Sequence, residues 1–555
     1  MTVHVTATAG TGGAAPGSPW RRRLSMVVIS LGVSLIVVDA TIVNVLLPRL
    51  VGELGLRATG AEWVTSVYSL TFAALLITCG RIADLIGRRR MFVIGTLVFM
   101  AASLAAAVSG TGPELIAARL AQGVGASMIM PATLSTMNAV FTGRDRTVAF
   151  GIWGSLIAGM AAVGPLLGGW LATSYGWRWA FAMNLPLGAA IVAGALLLVP
   201  ETRDDGLADR GVDWMGGALS ALGLGAIVFA LIEGQRYGWW TPHGSYELTG
   251  ISLIPLAVFG GVAALGALIV VERARARAGR PVLLDLALFR IATFRTGGAA
   301  GALISVGELG LLFTLPLFLQ NVHGNSPLRT CAAIVPLAVG ALLSGPFAAR
   351  LSRRYGPARI VQAGMVLEVA AVLAIALTTR ASTTGWGFAP WMLLYGVGLG
   401  LTSAQLTNVT LGDVPRARSG IAAGTNSTAR QLGAAVGIAL IGAVFTTGLG
   451  HAMTARTHDP AQAHSLRESV GTYARTLQDS AGHRSGAVPV ALGKTGPSAI
   501  TAGGGGQGAA RAADESLAVA TRLAALTTAG ILALGLLMTL RLARPSSGIR
   551  KNRPS

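Results

Sequence analysis

Residues 80–90 read GRIADLIGRRR, and residues 349–359 read ARLSRRYGPAR. Each is a short charged segment closed on both sides by apolar runs, 62–80 and 91–110 around the first and 330–349 and 359–379 around the second. A bilayer core is crossed by about twenty mostly apolar residues in a helix, so each segment reads as a tight loop between two membrane spans. The echo sits at corresponding loops of two sets of six spans. Repeated halves related by an axis along the membrane normal are one way that transporters are built.

Outward from these loops, ten further spans complete the pattern. The expected spans are 24–47, 62–80, 91–110, 115–137, 148–172, 179–199, 213–233, 249–271, 296–319, 330–349, 359–379, 389–411, 427–448 and 519–541. Composition agrees, since 52% of the chain is hydrophobic and only 12% charged, about half the charge of a soluble protein. The first run follows Arg21–Arg23 like a signal peptide, but continues past twenty residues with no small-residue cleavage site and reads as an uncleaved span. The expected fold is all-α and polytopic, with 14 transmembrane helices. The expected divisions are an N-terminal tail 1–23, a six-helix bundle 24–199, a segment 200–295 with two linker helices, a second six-helix bundle 296–541 and a tail 542–555.

The basic residues orient the chain. Arg88–Arg90, Arg273–Arg280, Arg350–Arg359 and the tail Arg541–Arg553 fall on one side when the spans alternate. Short loops rich in Lys and Arg stay in the cytoplasm, so both termini are expected there, in a cell inner or cytoplasmic membrane. The net charge of +20 is thereby assigned to the membrane surface rather than to nucleic acid. Residues 449–516 form one long outer loop of flexible composition. Its His451, His458, His464 and His483 have no metal-ligand spacing, and no metal is expected. Gly493-Lys494-Thr495 is not a phosphate-binding loop, because the Gly required five residues earlier is Val488. Cys79 and Cys331 are expected on opposite faces, which argues against a bridge between them. Pro281–Phe294 alternates apolar residues and is expected to lie as an amphipathic helix on the inner surface. Glu233 is expected to reach the interface, near an aromatic belt of Trp239 and Trp240.

Several residues carry chemistry. Asp39 lies inside the first span, where an acid is costly and marks function by default; it would bind and release a proton, or else hold packing by a hydrogen bond to a neighbouring helix. Arg119 lies in the fourth span with Gln122 and Gly123 on the same face, and a buried Arg needs partners. Gly164 and Gly168 on the fifth span form a GxxxG pair that admits a close helix contact, and Pro165 favours a kink. Asp84, with Gly80, Gly87, Arg88 and Arg89, forms a charged latch, whose carboxylate could cap a facing helix or pair with Arg in one conformation only. The matching position in the second copy is Arg353. Glu308 and Glu368 are central acids of the ninth and eleventh spans, open to protonation, to attraction of a cationic substrate, or to pairing with Arg430.

Taken together these stretches resemble the major facilitator superfamily, in its fourteen-span drug:proton antiporter branch. The resemblance is carried by LIVVDATIVNVLLPRL (Leu35–Leu50), GRIADLIGRRR, LIAARLAQGVGAS (Leu115–Ser127), GMAAVGPLLGG (Gly159–Gly169) and WRWAFAMNLPLG (Trp177–Gly188). PVLLDLALFRIATFR and LPLFLQNVHGNSPL around the ninth span complete it. It covers most of residues 20–450. The resemblance implies two six-helix bundles plus two linker helices, proton coupling at Arg119, and an antiporter motif at Gly159, Gly164, Pro165, Gly168 and Gly169. It implies export of small lipophilic or cationic compounds driven by the proton gradient, with no cofactor and no obligate protein partner. The nearest rival is a proton-coupled symporter importing a small metabolite. A membrane enzyme is disfavoured, because the intramembrane acids are scattered and no His lies centrally in a span.

Overall fold

The structure is a computed structural model. It describes residues 19–56, 58–202, 213–237, 240, 252–280, 282–323, 325, 327–415, 418–456 and 507–540. The described residues form helices and no strand. This follows from the solvent, since only internally bonded backbone survives in hydrocarbon.

In chain order the helices are α1 (Pro19–Leu54), α2 (Ala58–Ile86), α3 (Arg88–Val108), α4 (Gly112–Val140), α5 (Gly143–Ser174), α6 (Arg178–Ala182), α7 (Asn184–Leu198), α8 (Trp214–Tyr237), α9 (Leu253–Arg277), α10 (Ala292–His323), α11 (Pro327–Tyr355), α12 (Pro357–Thr378), α13 (Ala389–Thr410), α14 (Ser419–Arg456) and α15 (Gln507–Leu540). A helix covers every one of the fourteen expected spans, with α6 and α7 sharing the sixth. Among the described residues, eleven stretches are long and apolar enough to cross a membrane by themselves, and the two parts of α5 make a twelfth. The helices over the ninth and twelfth spans are not among them. Buried polar residues dilute α13, which carries Thr402, Ser403, Gln405, Thr407, Asn408 and Thr410 in its interior.

The packing repeats. Helix α1 packs on α5 and α7, α2 on α4, and α3 on α4 and α7. The same pairings recur as α10 on α14 and α15, α11 on α13, and α12 on α13 and α15. The two sets meet through α5 against α11 and α13, and through α14 against α2 and α4. Helices α8 and α9 pair with each other, and α8 leans on α2 and α14. Large apolar side chains stay exposed on α3 (Leu97, Leu104), α7 (Leu197) and α9 (Phe259, Val270), as a lipid-facing surface requires.

Four expectations are corrected. Residues 419–426, read as loop, are helix: α14 begins at Ser419 because Gly420 and Gly424 let it touch α2. A Cβ on Gly424 would lie 2.6 Å from the Leu76 carbonyl oxygen. Helix also extends into both ends of the expected outer loop, to Arg456 and from Gln507. The rest of that loop, with His458, His464 and His483, lies outside the described residues, as does Trp239. Glu233, expected to reach out to the interface, is instead buried among the helices, 4% exposed. The segment before α10 is not a surface helix either. It is irregular, with one short 3-10 turn at Leu286–Arg290. The Leu283 amide donates to both Glu272 carboxylate oxygens at 2.9 and 3.1 Å, and Leu283 packs among Ile77, Leu224, Leu265 and Leu432. Of the apolar residues between Leu283 and Ile291, only Leu283 and Leu288 are buried.

Candidate functional site

Asp39 and Arg119, singled out on separate spans, form one buried ion pair. Arg119 Nη1 donates to Asp39 Oδ2 at 2.5 Å, and both residues are 1% exposed. The guanidinium is held on three further sides. Its Nε donates to the Val64 carbonyl at 3.1 Å, its Nη1 to Gln122 Oε1 at 2.8 Å, and its carbon lies 4.2 Å above the Tyr68 ring. Asp39 Oδ1 accepts from Gln122 Nε2 at 3.1 Å and from Asn184 Nδ2 at 2.8 Å. Ser103 Oγ accepts from the same two amides at 2.8 and 3.2 Å. The network thus ties α1, α2, α3, α4 and α7 at one point.

A buried pair of this kind is costly to desolvate, and removing one partner leaves the other stranded at about 3–5 kcal/mol.

The glycine row of α5 abuts this network. A Cβ on Gly164 would fall into Thr41 Oγ1 and within 3.0 Å of the Val38 carbonyl, and one on Gly168 would meet Ile42 Cγ1 at 2.5 Å. Both glycines therefore admit the turn of α1 that holds Asp39. Gly159 faces the other way, onto Leu342 of α11. Helix α5 bends by 42° between Asp145–Ala161 and Val163–Ala172. Pro165 accounts for the place of the bend, because it cannot donate to the carbonyl four residues back.

The latch residues gather at one end. Asp84 is fully buried and accepts from Arg88 Nη2 at 2.9 Å, from the Gly420 amide at 2.9 and 3.0 Å, and from the Ile421 amide at 3.1 Å. It caps the start of α14, where free amides and the helix dipole favour an anion. Gly80 is required there, since a Cβ would strike the Gly420 carbonyl. Gly87 takes φ +111, a conformation that suits glycine. Arg89 turns to Glu201: the Arg89 and Arg90 amides donate to its carboxylate at 3.1 and 3.2 Å, capping α3. Two more bonds join the sets of spans here. Asn138 Nδ2 donates to Ser419 Oγ at 2.8 Å, and Arg146 Nη2 donates to the Asn408 carbonyl at the end of α13 at 3.0 Å. The structure is closed at this end. In the second copy Arg353 is exposed, so the latch is one-sided.

Glu308 and Glu368 are not part of the Asp39 network. Arg430 Nη2 lies 3.5 Å from Glu308 Oε2, and Glu368 is buried on α12. Sequence reasoning missed Asn184, Ser103, Tyr68 and Glu201 as site residues. Asn184 stood inside the quoted WRWAFAMNLPLG, where an amide within an apolar run was the available signal.

A family model for the Major Facilitator Superfamily matches residues 29–213 and 213–438. The chain is 32% identical over 481 residues to the protein named "Probable actinorhodin transporter" of Streptomyces coelicolor, covering 84% of this chain and 80% of that one. It is 28% identical to the tetracenomycin C resistance and export protein of Streptomyces glaucescens, over 78% of this chain and 77% of that one. It is 31% identical to the multidrug resistance protein Stp of Mycobacterium tuberculosis, over 80% and 81% respectively. Among solved structures, the human organic anion transporter MFSD10 aligns with a TM-score of 0.58 at 14% identity, covering 93% of this chain and 99% of that one. The proton:xylose symporter XylE aligns with a TM-score of 0.54 at 15% identity, covering 86% and 95%. At these identities the two structures speak to the fold alone.

Proposed function

The chain belongs to the major facilitator superfamily, and from that premise we propose that it is a proton-coupled antiporter. It carries small lipophilic or cationic compounds, such as drugs, antibiotics or secreted metabolites, out across the cytoplasmic membrane. Its termini lie in the cytoplasm, and residues 24–199 and 296–541 are the two bundles that rock about a central substrate path. The export direction is supported by relatives named for drug or antibiotic export and resistance.

The single observation that carries the coupling is the buried Asp39–Arg119 pair with its amide donors. In the cycle, Asp39 is charged and paired when the cytoplasmic latch is shut. A proton arriving from outside neutralises Asp39, frees Arg119 and loosens α1 against α4 and α7. Because Gly164 and Gly168 bring α1 against α5, and α5 also contacts α11, movement of α1 reaches the other bundle. The latch at Asp84 then opens, the inner side is exposed, the proton leaves, and substrate enters in its place.

The test is Asp39→Asn, which keeps the size and removes the charge. Ethidium efflux from an efflux-deficient bacterium expressing the chain is expected to stop on adding a protonophore. With Asp39→Asn at equal abundance, protonophore-sensitive efflux is expected to vanish. Full coupling in that variant overturns the assignment.

A further inference from the structure

A second group of ionisable residues is left unused by the Asp39 network, and its place is not random. Glu308 follows Asp39 at the same interval at which Ala349 follows Gly80. The repeat thus sets Glu308 on α10 where Asp39 stands on α1. The surroundings differ. The Arg of the first site comes from α4, whereas Glu308 has Arg430 from α14, at 3.5 Å. On α12, Glu368 is fully buried and neither of its oxygens has a hydrogen-bond partner. Glu308 Oε1, the Tyr395 hydroxyl and Thr402 Oγ1 are also buried without one. Glu308, Arg430 and Tyr395 all lie within electrostatic reach of Glu368.

The charges do not balance. Two carboxylates face one guanidinium, and α13, packed against α10 and α12, carries no charged residue. The remaining charged side chains of α10, α11, α12, α14 and α15 lie near helix ends or are exposed, Arg350 and Arg522 among the latter. An unpaired buried charge is strongly disfavoured, and two interacting acids titrate as a pair. The side chains of Glu308 and Arg430 retain 13% and 23% exposure, while Glu368 retains none.

We infer that Glu308 and Glu368 together hold one proton, forming a second protonation site that is the repeat counterpart of Asp39. Arg430 balances one acid and the proton neutralises the other. The Tyr395 and Thr402 hydroxyls, buried without a partner, are the donors available to whichever oxygen becomes charged. A role in transport, as a second proton moved in each cycle, rests on the reading of the chain as a proton-coupled antiporter. The existence of the bound proton does not.

The experiment is infrared difference spectroscopy of the purified full chain in lipid, titrated in pH, reading the C=O stretch of buried protonated carboxyls. Glu308→Gln and Glu368→Gln each leave one acid facing Arg430. Each single change is therefore expected to remove the whole one-proton band, and the double change to remove no more. Arg430→Gln is expected to raise the band from one proton to two. Glu308→Asp keeps the acid and should keep the band, which separates loss of the proton from disturbed packing. Partial, additive losses in the single variants would show two independent acids and overturn the inference, as would a band untouched by either. Because no substrate is added, these outcomes do not depend on whether the chain exports anything.

Discussion

Asp39 carries the account at the scale of single residues, and its neighbours make specific demands. Arg119 reaches a carbonyl, a carboxylate and an amide at once with a planar fork; an ammonium is a point charge and cannot span them. Arg119→Lys should lower export about tenfold or more, the equivalent of roughly 1.5–3 kcal/mol for one buried charge-assisted hydrogen bond, measured as ethidium efflux at equal abundance. Asn184→Ala removes one donor to Asp39 while leaving the ion pair, so a smaller, several-fold loss is expected in the same assay. Asp39 and Arg119 were legible because a charge inside an apolar run is rare and conspicuous. Their pairing was not, since nothing in one chain ties residue 39 to residue 119. Asn184 and Ser103 were illegible for another reason: small uncharged polar residues occur throughout these spans, and only packing selects those that face Asp39.

At the scale of elements, α5 and the start of α14 decide how movement is passed on. Gly164 has no room for a side chain against Thr41 and the Val38 carbonyl. Gly164→Val should push α1 off α5, costing about 1–3 kcal/mol as overpacking does; purified protein should melt lower and efflux should fail even where the chain reaches the membrane. Asp84→Asn keeps the shape of the latch but withdraws the charge from the α14 N-terminus and from Arg88. A cap contributes about 0.5–2 kcal/mol, so the population open at this end should grow severalfold. Spin labels on α2 and α14, with distances measured between them, would read that growth as a longer component; an unchanged distribution would deny Asp84 its latching role. The centres of the helices were legible from apolar run length alone. Their ends were not where glycine was involved: Gly420 and Gly424 read as loop residues, yet they sit in α14 because α2 passes so close. The stretch before α10 misled in the opposite sense, since its apolar residues serve an irregular strap as well as a helix face, and Glu272 holds that strap by the Leu283 amide.

Across the whole molecule, the repeat seen in two charged loops is also a repeat of packing, and it stops short of identity in an informative way. The first half pairs its central acid with an Arg of its fourth helix and carries the latch carboxylate. The second half places Glu308 at the matching point, but takes its Arg from α14 and has Arg353 where the latch acid would be. Two halves with unequal charge sites can respond unequally to one proton, which is what a rocking transporter needs to prefer a direction. The contacts between Asp84 and α14, and between Arg146 and α13, close the molecule at one end. On the proposed function that end is cytoplasmic and stays shut while Asp39 is charged, and protonation of Asp39 drives export. The most direct measurement is ethidium accumulation in everted membrane vesicles from an efflux-deficient bacterium expressing the chain, energised by respiration. Wild-type vesicles should concentrate ethidium, a protonophore should abolish this, and Asp39→Asn vesicles with equal amounts of the chain should not accumulate it. Accumulation that survives the protonophore, or gradient-driven accumulation by Asp39→Asn, would contradict the claim.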